Sequence, residues 1–467
     1  MRKGTQPAHE RGETGYNLRQ HRDAAQYRAK GHFLVAIEYH KHTLPNGLRV
    51  YITPMDSATS VTVVIGVGVG ARSEAPAVNG IAHFAEHMFF KGTERRPTTK
   101  EISSLIDGLG GQFNAFTSEE MTAFYTRLAP EHYKVGLDVL TDMLFHSLFD
   151  AAEIEREKGT IIQEIRMYED QPMSLAPKTF QKMMFPDHPL GRPILGTDDT
   201  INAMNQQTFL TYRDGAYHAG SMVVSIAGKV DEADALAEVE RWMAQLTGGT
   251  APKPEPAANT QPSGKVGIYT KDTGQAHVVM GVPSIPIGHP DEAALSVLNT
   301  ILGGTMSSRL FIEVRERQGL CYYVGSSPDP YTDTGLFIAR GGMDLERIDQ
   351  AILSIRKELL GMAAEPVSDD ELTMGKEGLK GRILLAMEGS AGVAMDVIRQ
   401  ELLRGRVRTP DDRRAEVEAV TKDDVFRVAN DLFAPEKLHL AMCGPFDDPA
   451  RFERLLLEGA PVAAAGD

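Results

Sequence analysis

Cysteine is nearly missing from this chain: 467 residues contain two, Cys321 and Cys443. That excludes a disulfide framework and any zinc module built on cysteine, and it points to a reducing compartment. Also missing is any run of 18 or more apolar residues, which removes a membrane-spanning helix. The N-terminus carries arginines but no apolar stretch, so it is not an ordinary secretory signal. Glu10, Glu13 and Asp23 interrupt the acid-poor pattern of a transit peptide, and residues 1–36 read as a solvated, disordered arm. Positive charge is scarce as well. Against 49 Lys and Arg stand 64 Asp and Glu, a net charge of −15, which argues against nucleic acid as a partner. These absences together describe a cytoplasmic protein, or one of the mitochondrial matrix if the source is eukaryotic.

The chain does have enough length for more than one hydrophobic core. The stretch 43-TLPNGLRVYITP-54 carries an Asn-Gly turn between apolar residues and reads as a β-hairpin. A β-branched run at 61–74 reads as a buried strand, 112–129 as a strand pair, and roughly 131–149 and 151–170 as helices. The segment 248-GGTAPKPEPAANTQPSG-264 has the composition of an interdomain linker. The order of elements repeats on its two sides: 123–144 matches 335–359, and 151–170 matches 368–387. The reading is an α+β protein of two homologous domains, 37–247 and 265–446, each a mostly antiparallel sheet packed with helices, with 447–467 as a tail.

The chemistry concentrates in 80-GIAHFAEHMFFKGT-93. On a helix His83 and His87 stand at i and i+4 and project from one face. That spacing suits two imidazole nitrogens on one Zn²⁺ at about 2.0–2.1 Å each. Glu86 lies on nearly the same face, placed to take a proton from water at a metal without binding the metal itself. A third ligand is offered by 153-EIEREKGTIIQEIRMYED-170, where Glu157 and Glu164 share a helix face two turns apart. One could bind metal while the other orients a ligand. Taken singly, each segment reads as well as a core-facing or solvated helix. The second copy offers 293-AALSVLNTILGG-304, without histidine, and aligns Arg382 with Glu164.

Together, TLPNGLRV, GIAHFAEHMFFKGT and EREKGTIIQEI resemble the inverzincin metallopeptidases of the pitrilysin/insulinase family, especially the branch of mitochondrial processing peptidase and its bacterial relatives. The 76 residues between His87 and Glu164 are the separation this family uses, and the likeness covers roughly residues 40–446. Ala85 departs from the leucine common in relatives, a matter of packing. The resemblance implies one Zn²⁺ per chain on His83, His87 and Glu164, Glu86 as general base, and Glu157 as a supporting carboxylate. It further implies a substrate strand at 112-QFNAFTSEEMT-122, with Asn114 and Ala115 holding the peptide by β-augmentation. Arg315 and Tyr322, in 309-RLFIEVRERQGLCYYVGSS-327, would contact the substrate carbonyl as charge develops on it. The implied function is a zinc-dependent endopeptidase for short or unfolded peptides. The implied architecture is a half-clamshell whose dimer encloses a chamber, a homodimer or a heterodimer with an inactive relative. Two other readings stand beside it. The run 66-GVGVGA-71 fits a dinucleotide-binding fingerprint, and a non-catalytic partner subunit would share the fold.

Overall fold

The computed structural model describes residues 37–244, 246–257 and 262–457. The N-terminal arm expected at 1–36, and the end of the tail beyond 457, lie outside the described residues. The described residues from Glu38 on form one compact body.

The Asn46-Gly47 turn forms as the sequence predicts. Gly47 adopts φ +90, and β1 (His40–Thr43) pairs antiparallel with β2 (Arg49–Pro54). Four more strands complete the first sheet: β3 (Val61–Val67), β4 (Gln112–Thr117), β5 (Thr122–Leu128) and β6 (Met222–Gly228), in the order β1-β2-β6-β3-β5-β4. The second sheet contains β7 (Val266–Thr270), β8 (Ala276–Ser284), β9 (Cys321–Pro330), β10 (Gly335–Met343) and β11 (His439–Gly444), in the order β7-β11-β8-β10-β9. Apart from β1 the two orders are the same, and each sheet has one parallel pair, β2 with β6 and β7 with β11. The repeat reaches individual residues: Val63–Val67 reads VVIGV and Val278–Val282 reads VVMGV.

Helices follow in matching order. The first half has α1 (Ile81–Phe89), α2 (Thr99–Asp107), α3 (Tyr133–His146), α4 (Ala151–Asp170), α5 (Pro172–Met184), α6 (Asp198–Ala203), α7 (Gln206–Ala216) and α8 (Glu232–Met243). The second half has α9 (Glu292–Leu302), a π-helical turn at Phe311–Arg317, then α10 (Ile348–Ala364), α11 (Asp369–Ala386), α12 (Ser390–Arg404), α13 (Pro410–Ala419), α14 (Lys422–Leu432) and α15 (Pro449–Leu457).

The two halves exchange one helix each. Alternation along β3 turns Val63, Ile65 and Val67 into the core shared with α1, α3 and α7, so Gly66 faces the other way. On that face lies α12 from the second half, in contact with β3 and β6. A side chain at Gly66 would set its Cβ 2.4 Å from Ile398 Cγ2 and 2.9 Å from Leu402 Cδ1. The glycine is there for the helix to approach. Glu401 of α12, buried to 2 % exposure, accepts from Tyr51 Oη (2.6 Å), Lys41 Nζ (2.9 Å) and Arg49 Nη1 (3.2 Å) and fixes the helix to β1 and β2. In the mirror-image exchange, α5 covers β8, β11 and β7, and a Cβ at Gly281 would lie 2.9 Å from Phe180 Cζ. The glycine run at 66–71 is thereby accounted for: β3 runs through Gly66, and only a short 3-10 turn at Ala71–Ser73 follows it, not the α-helix that a dinucleotide-binding turn requires.

The segment between the halves has no helix or strand among its described residues, yet it is pinned. Buried Arg72 donates to the Glu255 carbonyl (2.7 Å), to Glu120 (2.7 Å) and to Asp333 (2.8 Å). Asp333 also accepts from the Ala257 amide at 2.8 Å. The β4–β5 turn and the β9–β10 turn are thus tied to each other and to the linker.

Candidate metal and peptide site

The position of α1 follows from its apolar face. Phe84, Met88 and Phe89 are wholly buried, with Phe84 edge-on to Phe209 (4.9 Å) and Phe89 edge-on to Phe124 (5.3 Å). Its start is held by Glu74, whose carboxylate accepts from the amides of Gly80 (2.7 Å) and Ala82 (2.8 Å) and from Asn79 Nδ2 (2.8 Å). Burial nevertheless pushes the Glu74 carboxyl up to about 7. Gly80 sits at φ +96, and a Cβ there would meet the Leu195 carbonyl at 2.7 Å, so only glycine fits. The polar face of α1 is left to meet α4, which Asp150 caps through the Ala152 (2.9 Å) and Glu153 (3.1 Å) amides.

Three side chains from these two helices converge. Glu164 Oε2 lies 3.6 Å from His83 Nε2 and 3.7 Å from His87 Nε2, and the donor atoms of all three fall within 4.8 Å of one another. Those separations are too long for hydrogen bonds. They are near the roughly 3.4 Å between neighbouring donors placed tetrahedrally about an ion at 2.0–2.1 Å. His83 is in the form a metal needs. Burial, with the charge of His87 added, holds the His83 ring down at about 4, so it is neutral near pH 7. The Nδ1 of His87 lies 2.9 Å from Glu157 Oε1. Ionised Glu157 is an acceptor only, so Nδ1 carries the proton and the Nε2 lone pair points into the cluster. Burial raises the Glu157 carboxyl, but the hydrogen bonds from His87 and from Lys91 (Nζ to Oε2, 2.5 Å) outweigh it and hold it below the usual range. Two imidazole Nε2 atoms and a carboxylate oxygen form a donor set suited to zinc.

Glu86 stands beside this group and outside it. Its Oε2 accepts from Thr117 Oγ1 at 2.6 Å. Burial raises its carboxyl, and the Thr117 bond and the charge of His87 reduce the shift without reversing it. A carboxylate raised toward neutrality is suited to accepting a proton and handing it on.

Thr117 ends β4, the outer strand of its sheet, which among the described residues pairs only with β5 and leaves one edge open. Asn114 is exposed, and its Oδ1 accepts from the Ala115 amide at 2.8 Å. Arg315 and Tyr322 stand on the second half. The Arg315 guanidinium lies over the rings of Phe311 (4.6 Å) and Tyr322 (5.6 Å), and Tyr322 is 75 % exposed. The two meet each other, but among the described residues no hydrogen bond, ion pair or ring contact joins them to the His83–His87–Glu164 group.

In the second half the matching place is filled by protein. Arg382 is the fourteenth residue of α11 as Glu164 is of α4, and its Nη2 donates to Thr300 Oγ1 (2.7 Å) on α9, where Thr300 takes the place of His87. Sequence reasoning missed three residues of the first site: Glu74, Lys91 and Thr117. Lys91 was detectable, since it follows His87 by four residues just past the end of α1. A lone threonine or a loop glutamate carries no comparable signal.

Comparison with known proteins gives concordant findings. The family model described as Insulinase (Peptidase family M16) matches residues 49–198, and the one described as Peptidase M16 inactive domain matches residues 203–379. An uncharacterized zinc protease of Bacillus subtilis is 36% identical over 407 residues, covering 87% of this chain and 98% of the relative. One from Streptomyces coelicolor is 36% identical over 412 residues, covering 87% and 89%. Among solved structures, a protease from Helicobacter pylori superimposes with a TM-score of 0.80 at 21% identity, covering 88% of this chain and all of that one. A peptidase M16 inactive domain from Pseudomonas fluorescens gives 0.82 at 21% identity, covering 88% and 98%.

Proposed function

The chain belongs to the insulinase-type peptidase family M16, and on that premise we propose that it is a zinc-dependent endopeptidase of short or unfolded, extended peptides. The observation that carries this reading is the convergence of His83 Nε2, His87 Nε2 and Glu164 Oε2 within 4.8 Å. Zinc held by those three would polarise a peptide carbonyl and acidify a water. Glu86, close by but outside the ligand set, receives the proton of the attacking water and returns it to the leaving amine. Glu157 keeps the proton of His87 on Nδ1, and so keeps Nε2 open for a metal.

The open edge of β4 receives the substrate as an added strand. Main-chain hydrogen bonds demand extension and little sequence, which supports unfolded peptides as the class. Asn114 holds the Ala115 amide until a peptide takes its place. Arg315 and Tyr322 supply donors to the carbonyl oxygen as charge builds on it. Tyr322 is exposed and Arg315 half-buried, and among the described residues neither contacts the metal group of its own chain; in this reading they serve a second copy, so that each subunit's second half completes the other's site in a homodimer.

The test is made on the purified chain. It should contain about one zinc per chain and cut an unfolded peptide library. Glu86→Gln should lower the rate about 10²- to 10⁴-fold while keeping the metal. A protein without zinc, or a Glu86→Gln variant as active as the wild type, would refute the proposal and favour a structural subunit of the same fold. Equilibrium sedimentation of a mixture of Glu86→Gln and Tyr322→Phe chains, with activity read at each ratio, tests the shared site. Activity recovered above that of either chain alone is the expected result.

A further inference from the structure

Glu86 has a hazard built into its position. It lies one residue from His87 and three from His83, and its carboxylate is within electrostatic reach of His87 and Glu164. Rotated toward the metal group it would be a fourth protein donor, closing the position that a catalytic zinc keeps open. Something must hold it back. Among the described residues one donor reaches this carboxylate: Thr117 Oγ1, at 2.6 Å, in the range of a charge-assisted O–H···O⁻ bond.

We propose that Thr117 is a positioning residue that holds the Glu86 carboxylate away from the metal and links its orientation to the strand on which the peptide docks. The proposal rests on the peptidase reading above. Three further observations support it.

Thr117 is first of all a fixed point. Its β-branched side chain is stiff about χ1. It pairs across the hairpin with Thr122, whose Oγ1 donates to the Val69 carbonyl at 2.9 Å. The next two residues are bonded to the loop that leads into α1, through Ala71 N to Ser118 O (3.1 Å) and Arg72 N to Glu119 O (2.7 Å). A Cβ at Gly70 would lie 2.2 Å from the Ser118 carbonyl, so loop and hairpin are in direct backbone contact.

Second, the metal-free half contains a comparable tether. On α9, Asn299 takes the place of Glu86, and its Oδ1 accepts from Ser326 Oγ on β9 at 2.7 Å. In both halves a hydroxyl on the outer strand restrains this helix position. Only in the first half is the restrained group an acid–base.

Third, the bond occupies one carboxylate oxygen and leaves the other. With Oε2 engaged by Thr117, Oε1 is free to take the proton. A peptide added to β4 would restrain the strand that carries Thr117, so substrate docking and base orientation act on one element.

The full-length chain serves as the test, in zinc and cobalt forms. Thr117→Val keeps the shape of the side chain and deletes the donor; Thr117→Ser keeps the donor. We expect Thr117→Val to lower kcat about 10- to 100-fold, the usual range for loss of such an orienting partner, with KM within about twofold. The visible spectrum of the Co²⁺ form should change as the freed carboxylate joins the metal, and Thr117→Ser should restore both rate and spectrum. A Thr117→Val protein with the wild-type kcat and Co²⁺ spectrum overturns the proposal. So does a loss of rate that tracks a fall in melting temperature or in metal content, since that marks a purely structural tether. If the wild type cuts no peptide, the peptidase reading fails, while the Co²⁺ spectra still decide whether Thr117 restrains Glu86.

Discussion

Glu157 has two partners, and exchanging it for glutamine separates them. In the wild type Oε1 faces His87 Nδ1 at 2.9 Å and Oε2 faces Lys91 Nζ at 2.5 Å, in a place where Glu157 itself is 4 % exposed. Glutamine has one acceptor and one donor group for these two positions. The ammonium of Lys91 takes the carbonyl, which leaves the NH₂ against His87 Nδ1. Nδ1 must then act as acceptor, the ring proton moves to Nε2, and the nitrogen facing Glu164 can no longer bind metal. Glu157→Gln should therefore weaken zinc about 10- to 100-fold, or about 1.4–2.7 kcal/mol at 1.36 kcal/mol per decade. Lys91→Met alone leaves the carboxylate on Nδ1, and its zinc affinity should stay within about threefold of the wild type. The Glu157→Gln/Lys91→Met double variant frees the amide carbonyl to turn back to Nδ1–H, so most of the lost affinity should return. Competition for zinc against a chelator of known affinity reads all three. Undiminished affinity in Glu157→Gln, or no recovery in the double variant, would refute the tautomer reasoning.

Two other predictions concern the frame. Gly66→Ala should destabilise the protein by about 1–3 kcal/mol, because its Cβ overlaps Ile398 Cγ2; combined with Ile398→Ala in urea unfolding, the two changes should couple by more than about 0.5 kcal/mol, and plain additivity would refute the close approach of α12. Glu371, which caps α11, is raised by burial but more strongly lowered by its hydrogen bonds to Arg309 and Ser368, which hold it at about 2; since this is below the roughly 4.3 of an unfolded glutamate, its stabilisation is complete above about pH 4.5 and is lost as pH falls toward 2, so the stability gap between wild type and Glu371→Gln should close over that window.

The sequence was most informative where signals are local. The Asn46-Gly47 turn, the bounds of α4 and the pairing of His83 with His87 follow from residue type and spacing, because a helix converts i, i+4 into a shared face; the choice of Glu164 over Glu157 as their partner came from the family resemblance. The doubling was also legible, in the match of 123–144 with 335–359 and of 151–170 with 368–387. What could not be read was the identity of partners. An apolar stripe on α5 or α12 announces that one face is buried, but not that it lies on the other half's sheet. Gly66 illustrates the same gap, since a strand glycine admits either a phosphate or a neighbouring helix until the neighbour is known. Thr117 was inside a quoted motif and still invisible, since its value depends on a carboxylate 31 residues away.

The exchange of α5 and α12 also has a consequence for how the chain is made. Synthesis runs from the N-terminus, and domains ordinarily fold as they emerge. Here the first sheet is complete at residue 228, yet the face around Gly66 stays uncovered until residues 390–404 have been synthesised. Over that interval α5 is likewise waiting for a sheet whose last strand begins at His439. Neither half can finish ahead of the other, so the half that carries His83, His87 and Glu164 reaches its final packing only when nearly the whole chain exists.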